Sequence, residues 1–520
     1  MAISLLAYCV LLLSTLTPSL QAAVEPGFEV HLTPSGLDLL ANFSRQLISS
    51  YLAAGQSHRF QGKYGSDVEF ELKGLKINDF SKDFTSTLSI ERGYGLMWKI
   101  RDLTVDTESR YSAKYDRFGG SGTVRIKVYR ATSILLLTGE ATGAGKLRPV
   151  LDDCQVYISS VRVRFIKTIT DRLLNYVSDH VERLVKNVLQ KHLCQKFRKE
   201  LLPKFQEKLL NVDTAVHLFN AFHLDYGLIA RPKFEDAAIR TQHLGAVYAM
   251  LQEGSKQVPY VDLPFKAPPL AKLNVSDEGS QMLYVVMSNH TLASLLYWMD
   301  QFKLFDYEFS RGSVKKEYQN YFNTECAEGE ICAGSLFPSL KAKHPNSYVE
   351  IFVKTEHHPR VLIQRSLVNI TTRSTIKGYV VSLTTNKSES FVSAKIDFYS
   401  QIRKFNLKDF VLKGRLEFDN FVLYEMESRV KEIDASSIDF LISGIVDILV
   451  RDDLAGKLES GIYLPRLLNF RMKNSVVDLR DGAIVLSSSF CLPEGPCNHT
   501  ASNSSVNNKE KVDYYDYYQP

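Results

Sequence analysis

At 520 residues the chain is too long for one ordinary hydrophobic core, so it divides into at least two large domains. Hydrophobic residues at 45% and charged residues at 23% exclude a chain that is disordered throughout. A net charge of +5 is too mild for a dedicated nucleic-acid binder, but residues 23–252 hold 32 Lys and Arg against 25 Asp and Glu, so an anionic partner is sought there.

The amino terminus carries an apolar core, Leu5–Leu13, then Ser14, Thr15 and Pro18 and the small residues Ala22 and Ala23. This is the pattern of a signal peptide, 1–22, and it is shorter than the ~20 apolar residues that span a bilayer. The mature chain is expected to be secreted, extracellular and soluble.

The first domain is read as 23–252. Thr33, Pro34 and Ser35 start a helix, with Leu37, Leu40, Leu47, Ile48 and Tyr51 at helical spacing. From Asp67 to Leu137 the period changes to two, as in VEFELKGLKI and TVRIKVYRATSILLL, which predicts strands with one apolar face. A long helix is expected from Ile169, with Leu173, Val177, Val181, Leu184, Val188 and Leu189 on one face. Phe197, Leu201, Phe205 and Leu209 continue it, with Pro203 as a kink or a new start. The basic residues from Lys186 to Lys208 read as a solvated helix surface. Two strand-like stretches, AFHLDYGLIA and AAIRTQHLGAVYAML, close the domain.

Residues 253–273, with four prolines, read as an extended connector. The order of elements then returns in 274–497. A helix over HTLASLLYWMDQF is followed by strands from Tyr348 to Tyr424, a long helix over Ile438–Leu458 and two final strands. A pattern stated twice predicts a duplicated domain. The polar tail, 498–520, is expected to be disordered.

Six cysteines remain after the signal, and sequence alone permits 15 pairings. Cys326 and Cys332 bracket a short loop, as do Cys491 and Cys497; that spacing favours a long-range bond between Cys154 and Cys194. Sequons stand at Asn42, Asn274, Asn289, Asn369, Asn386, Asn498 and Asn503, as in a secreted glycoprotein. No catalytic motif survives inspection. GEATGAGKL has the wrong glycine spacing for a phosphate loop, and Leu147 stands where Ser or Thr is required. GGSGT lacks the second flanking glycine of a nucleophile elbow, and Glu356, His357 and His358 precede Pro359 in a turn rather than on a metal-binding helix. No metal and no cofactor are expected, and no enzyme.

Several strings together resemble the bactericidal/permeability-increasing and lipopolysaccharide-binding protein family. They are VEPGFEVHLTPSGLDLL, the Cys154 and Cys194 pair, DYGLIARP, VDLPFKAPPL, GIYLPRLLNF and VVDLRDGAIVL, spread from Ala23 to Cys497. The resemblance implies an α+β fold: an elongated boomerang of two similar barrel-plus-long-helix domains joined by a central antiparallel sheet. It also implies apolar pockets that take phospholipid acyl chains, with bound phospholipid as the expected ligand. Lipopolysaccharide binders of the family carry cations at the tip of the first barrel. The matching stretch here, TESRYSAKYDRFGG, supplies Arg110, Lys114 and Arg117 interleaved with Tyr111 and Tyr115, and Arg59 and Lys63 share that tip. The expected partner is therefore lipopolysaccharide or phospholipid on a bacterial or lipid-particle surface. The protein is expected to be a monomer, acting in antibacterial defence or, alternatively, as a phospholipid carrier without endotoxin recognition.

Overall fold

The computed structural model describes residues 25–53, 58–64, 68–115, 118–166, 178–254, 256–270, 272–275, 281–314, 316–430, 433, 454–464 and 470–492. The signal segment, Arg117, Cys497, Asn498, Asn503, the polar tail and all of the expected Ile438–Leu458 helix before Leu454 lie outside them.

The described strands pair antiparallel in four sheets. The first runs His58–Tyr64, Val68–Phe80, Gly95–Tyr115, Phe118–Ala141 and Leu147–Ile166, with Thr85–Glu91 also paired to Gly95–Tyr115. Alternation explains its two faces: Val124, Ile126, Val161 and Val163 are buried while Arg125, Arg162 and Arg164 are exposed. Register breaks between Ile100 and Val105, with Asp102 at φ 61°, bend the longest hairpin and curl the sheet.

Helix α1 (Pro34–Ala53) follows the first strand of the chain. Helix α2 (Ser178–Lys196) lays Val185 and Leu189 on the concave apolar face, and the Cys154–Cys194 disulfide pins it to the last strand. The chain then makes one π-helical turn, Phe197–Leu201, before α3 (Leu202–Leu210). Pro203 lies in the first turn of α3, where its missing N–H leaves no bond unmade, so the helix is re-registered rather than broken. Phe197 meets Trp98 edge-on at 6.3 Å, and Leu202 packs on Leu135 and Leu151.

The second sheet joins the halves. Its order is Lys233–Phe234, Ile239–His243, Phe28–Leu32, Leu283–Ser288, Ala483–Cys491 and Arg471–Arg480. The junction is the pairing of Phe28–Leu32 with Leu283–Ser288, Phe28 opposite Met287 and Leu32 opposite Leu283. Gly27 is required beside it: a Cβ there would lie 2.3 Å from the Leu244 carbonyl oxygen.

The third sheet curls in the second half, in the order Tyr307–Phe309, Ser347–Thr355, Val368–Ser382, Ser388–Lys408, Val411–Ser428 and Ile462–Tyr463. Helix α4 (Asn289–Gln301) opens this half, capped by the Ser288 side chain, and α5 (Leu454–Ser460) precedes the last strands.

The fourth sheet orders Lys256–Tyr260, Ala246–Glu253, Phe222–Asp225 and Ala215–Phe219. Sequence order puts most of it in the first half, yet it packs on the second. The Val247 N–H donates to Ser294 Oγ at 2.9 Å, Trp298 Nε1 donates to the Val247 carbonyl at 2.9 Å, and Thr291 Oγ1 donates to the Gly245 carbonyl at 2.7 Å. Phe222, Leu224, Val247 and Ala249 share one core with Leu295, Trp298, Ile370 and Ile402. The far end of the Pro-rich stretch lays Leu270 and Leu273 on Tyr284, Val286 and Val485 of the central sheet.

Candidate functional site

Helix α4 presents Leu292, Leu295, Leu296 and Met299 on one face, the i, i+3, i+4, i+7 spacing that sums to a single apolar stripe. Against that stripe stand Ile370 and Ile402 of the third sheet, Leu218 and Phe219 of the fourth, and Leu458, Ser460, Gly461 and Ile462 where α5 ends. Between them is a cavity of about 80 Å3. Ser460 carries the one polar side chain of its described lining, so it offers a ligand hydrocarbon contact and no charge. Ligand pockets usually span roughly 300–1,000 Å3, so a long chain enters only if a wall moves.

Of the residues expected at a basic tip, Arg59 and Lys63 lie in His58–Tyr64 and Arg110 and Lys114 in Gly95–Tyr115, strands of the first sheet. Registers place Lys63 opposite Glu69 and Glu69 opposite Lys114, one row across three strands. A second row sets Lys73 opposite Arg110 and Arg110 opposite Thr123, with Arg59 in the neighbouring irregular register between His58 and Phe60. Arg110 is exposed. The described residues of the stretch that carries it belong to the paired strands Gly95–Tyr115 and Phe118–Ala141, and this sets the direction of its aromatics. Strand alternation turns Tyr111 inward, where it is 5% exposed, meets Phe165 edge-on at 4.9 Å and leaves its hydroxyl without a hydrogen bond. Arg110 and Tyr111 therefore occupy opposite faces.

A cationic stripe that the sequence reading passed over continues down the outer face. Arg125 stands opposite Arg164, and Lys127 opposite Arg162. Like charges directly opposite each other cost stability, and the sheet offsets this in two ways. Arg125 makes two hydrogen bonds to Asp106, at 2.9 and 2.8 Å, which hold that carboxyl below its ordinary pKa despite burial. Lys127 and Arg162 share the Tyr129 ring, 5.2 and 5.4 Å from its centroid. The signal was legible: RIKVYR and RVRF repeat basic residues at period two.

Cys326 is bonded to Cys332, and Cys491 is also in a disulfide. Of the sequons, Asn42, Asn274 and Asn386 are exposed, while Asn289 and Asn369 are half-buried. The Asn369 side chain donates to Gln364 at 2.7 Å. Among the described residues no three His, Cys, Asp or Glu side chains gather as metal ligands. No described helix is long and apolar enough to cross a membrane.

A family model, the C-terminal domain of the LBP / BPI / CETP family, matches residues 216–491, over half of the chain. The chain belongs to the LBP/BPI/CETP family. The match begins at Val216, in the sheet whose packing ties it to the second half. The bactericidal permeability-increasing protein of Rattus norvegicus is 18% identical over 471 residues, covering 90% of this chain and 94% of that protein. The crystal structure of lipopolysaccharide binding protein matches with a TM-score of 0.53 at 16% identity, over 91% of this chain and 100% of that one. The fold is the family's elongated boomerang, with two barrel-like sheets on either side of a central antiparallel sheet.

Proposed function

We propose that this LBP/BPI/CETP-family chain is a secreted, non-catalytic lipid-binding protein of antibacterial defence. It holds acyl chains in apolar pockets and takes the anionic head group of lipopolysaccharide, or a related amphiphile, at the basic end of its first barrel. The observation that carries the reading is the hydrocarbon-lined cavity between α4 and the third sheet. Each methylene moved from water into such a lining gains about 0.8 kcal/mol, so a chain admitted by movement of a wall is held by burial. The cationic rows through Lys63, Lys114, Lys73 and Arg110, and the stripe of Arg125, Lys127, Arg162 and Arg164, supply charge for phosphates. Its ligand is lipopolysaccharide or phospholipid and it works as a monomer.

A second reading, a phospholipid carrier without endotoxin recognition, is favoured by the carboxylates among those cations. Glu69 lies in register between Lys63 and Lys114, and Glu108 lies opposite Arg125.

The experiment is binding of the mature protein to lipopolysaccharide and to phosphatidylcholine vesicles, repeated with Arg110, Lys114 and Arg117 changed to Ala. Salt-sensitive preference for lipopolysaccharide, lost in the triple variant, is the expected outcome. Equal binding to both, unchanged by the substitutions, would leave the carrier reading. Leu292→Trp, which fills the cavity, is expected to lower bound phospholipid in native mass spectrometry; undiminished loading would remove this cavity from the account.

A further inference from the structure

The Pro-rich connector crosses α4 on the side away from the cavity. Its buried side is narrow: Leu263 and Phe265 point inward two residues apart while Asp262, Pro264 and Lys266 are exposed. Among the described residues, 261–270 form no strand, so side-chain packing holds this stretch rather than a ladder of backbone hydrogen bonds.

Phe265 sits in a box of three rings. It stacks on His358 at 5.4 Å and 25°, and meets His290 and Tyr297 edge-on at 5.6 and 6.0 Å. Tyr297 in turn meets His358 edge-on at 5.6 Å. His290 and Tyr297 lie two turns apart on one face of α4, and His358 comes from the turn before Arg360–Ile363. His290 is 6% exposed, and its Nδ1 is buried without a hydrogen bond. An unpaired acceptor is a tolerable loss there; a charged, unpartnered N–H would be far costlier.

We propose that the connector is an acid-released strap: Phe265 is its bolt, and protonation of His290 and His358 ejects that ring and frees residues 261–270 from α4. The electrostatic surroundings agree. Burial alone lowers the His290 pKa, with no charged neighbour opposing it. Burial also lowers that of His358, reinforced by His357 and Arg360 and opposed by Asp300. Asp300 is itself raised by burial, with Lys303, His357 and His358 pulling it down and Asp306 pushing it up, so its attraction fades as pH falls. On the connector, Asp262 and Lys266 flank Phe265 and are exposed to solvent. Because both histidine pKa values are depressed, their contribution holds above the ordinary value of 6.5 and is lost as pH falls below it.

The strap clamps a helix whose opposite face lines the cavity, so release in an acidic compartment loosens one wall of a space too small for a long chain. That consequence rests on the lipid-binding reading; the strap itself is tested with no lipid present. Trypsin cleavage after Lys266 in the full-length protein is measured against cleavage of the free peptide of residues 261–272 at the same pH. Between about pH 7.5 and about pH 5.5, across the ordinary range of histidine titration, this ratio is expected to rise about tenfold. The double variant His290→Phe, His358→Phe keeps the rings without the charge and is expected to abolish the rise. Should it not be secreted, His358→Phe alone is expected to reduce it. Phe265→Ala is expected to be cut rapidly at both pH values. A ratio flat with pH, a rise unchanged in the histidine variants, or slow cleavage of Phe265→Ala at neutral pH would each overturn the strap.

Discussion

Glu29 and His31 occupy alternate positions in a strand, FEVHL, whose apolar residues are Phe28, Val30 and Leu32, and a reading by period alone puts the polar pair in water. Both are buried instead, at 6% and 3% exposure, because they share the central-sheet face that carries the Leu270 and Leu273 contacts. The Glu29 carboxylate accepts from Gln242 at 2.8 Å and lies 3.4 Å from His31 Nε2 and 3.5 Å from Arg240. Burial pushes its pKa up, but these partners outweigh burial and hold it below the ordinary 4.5. Its stabilisation is therefore complete above that value and is lost as pH falls through the folded pKa. Glu29→Ala is expected to cost about 2 kcal/mol in urea unfolding at neutral pH, the scale of hydrogen bonds to a charged group. The difference from the parent protein is expected to shrink under acid conditions. A deficit that persists unchanged in acid would mean the loss is one of packing rather than of charge.

At the scale of elements, α2 shows what a covalent tie adds to an amphipathic stripe. Val185 and Leu189 seat it on the first sheet, and the disulfide spans 40 residues between Cys154 and Cys194. Closing a loop of that length restricts the unfolded chain by about 4 kcal/mol in the chain-entropy model. Cys154→Ala with Cys194→Ala is expected to lose most of that in denaturant unfolding of the secreted protein. A loss below about 1 kcal/mol, within the reach of an ordinary surface change, would show that packing alone seats the helix. Helical spacing marked Leu189 on the stripe of α2 but not Val185, and cysteine spacing marked the disulfide partner. Nothing marked the π-helical turn after α2, because a one-residue change of register leaves Phe197 and Leu202 apolar and inward in either geometry.

For the whole molecule, the division into halves by chain order differs from the division by packing. Phe222, Leu224, Val247 and Ala249 precede the connector but bury against α4 and the third sheet. A fragment beginning at residue 213 is therefore expected to secrete and melt cooperatively, whereas one beginning at 253 exposes the core those four residues cover and aggregates. Size-exclusion chromatography of the two fragments distinguishes these outcomes. Equal behaviour would mean the fourth sheet is dispensable to the second half.

By itself, the sequence determined the alternation of the long described strands, the opening helix of each half and the family, because alternation and spacing are local properties of the chain. It also named Arg59, Lys63, Arg110 and Lys114 as candidate cations, and these stand on strands of one sheet. Only the tertiary structure decided which of those residues share a row, that Tyr111 leaves the surface, that Glu29 is covered, and that Phe265 meets two histidines 25 and 93 positions downstream in chain order. The physical reason is the same in each case. Burial of a side chain depends on what the rest of the chain lays over it, and register across strands is set by pairings between segments far apart in sequence.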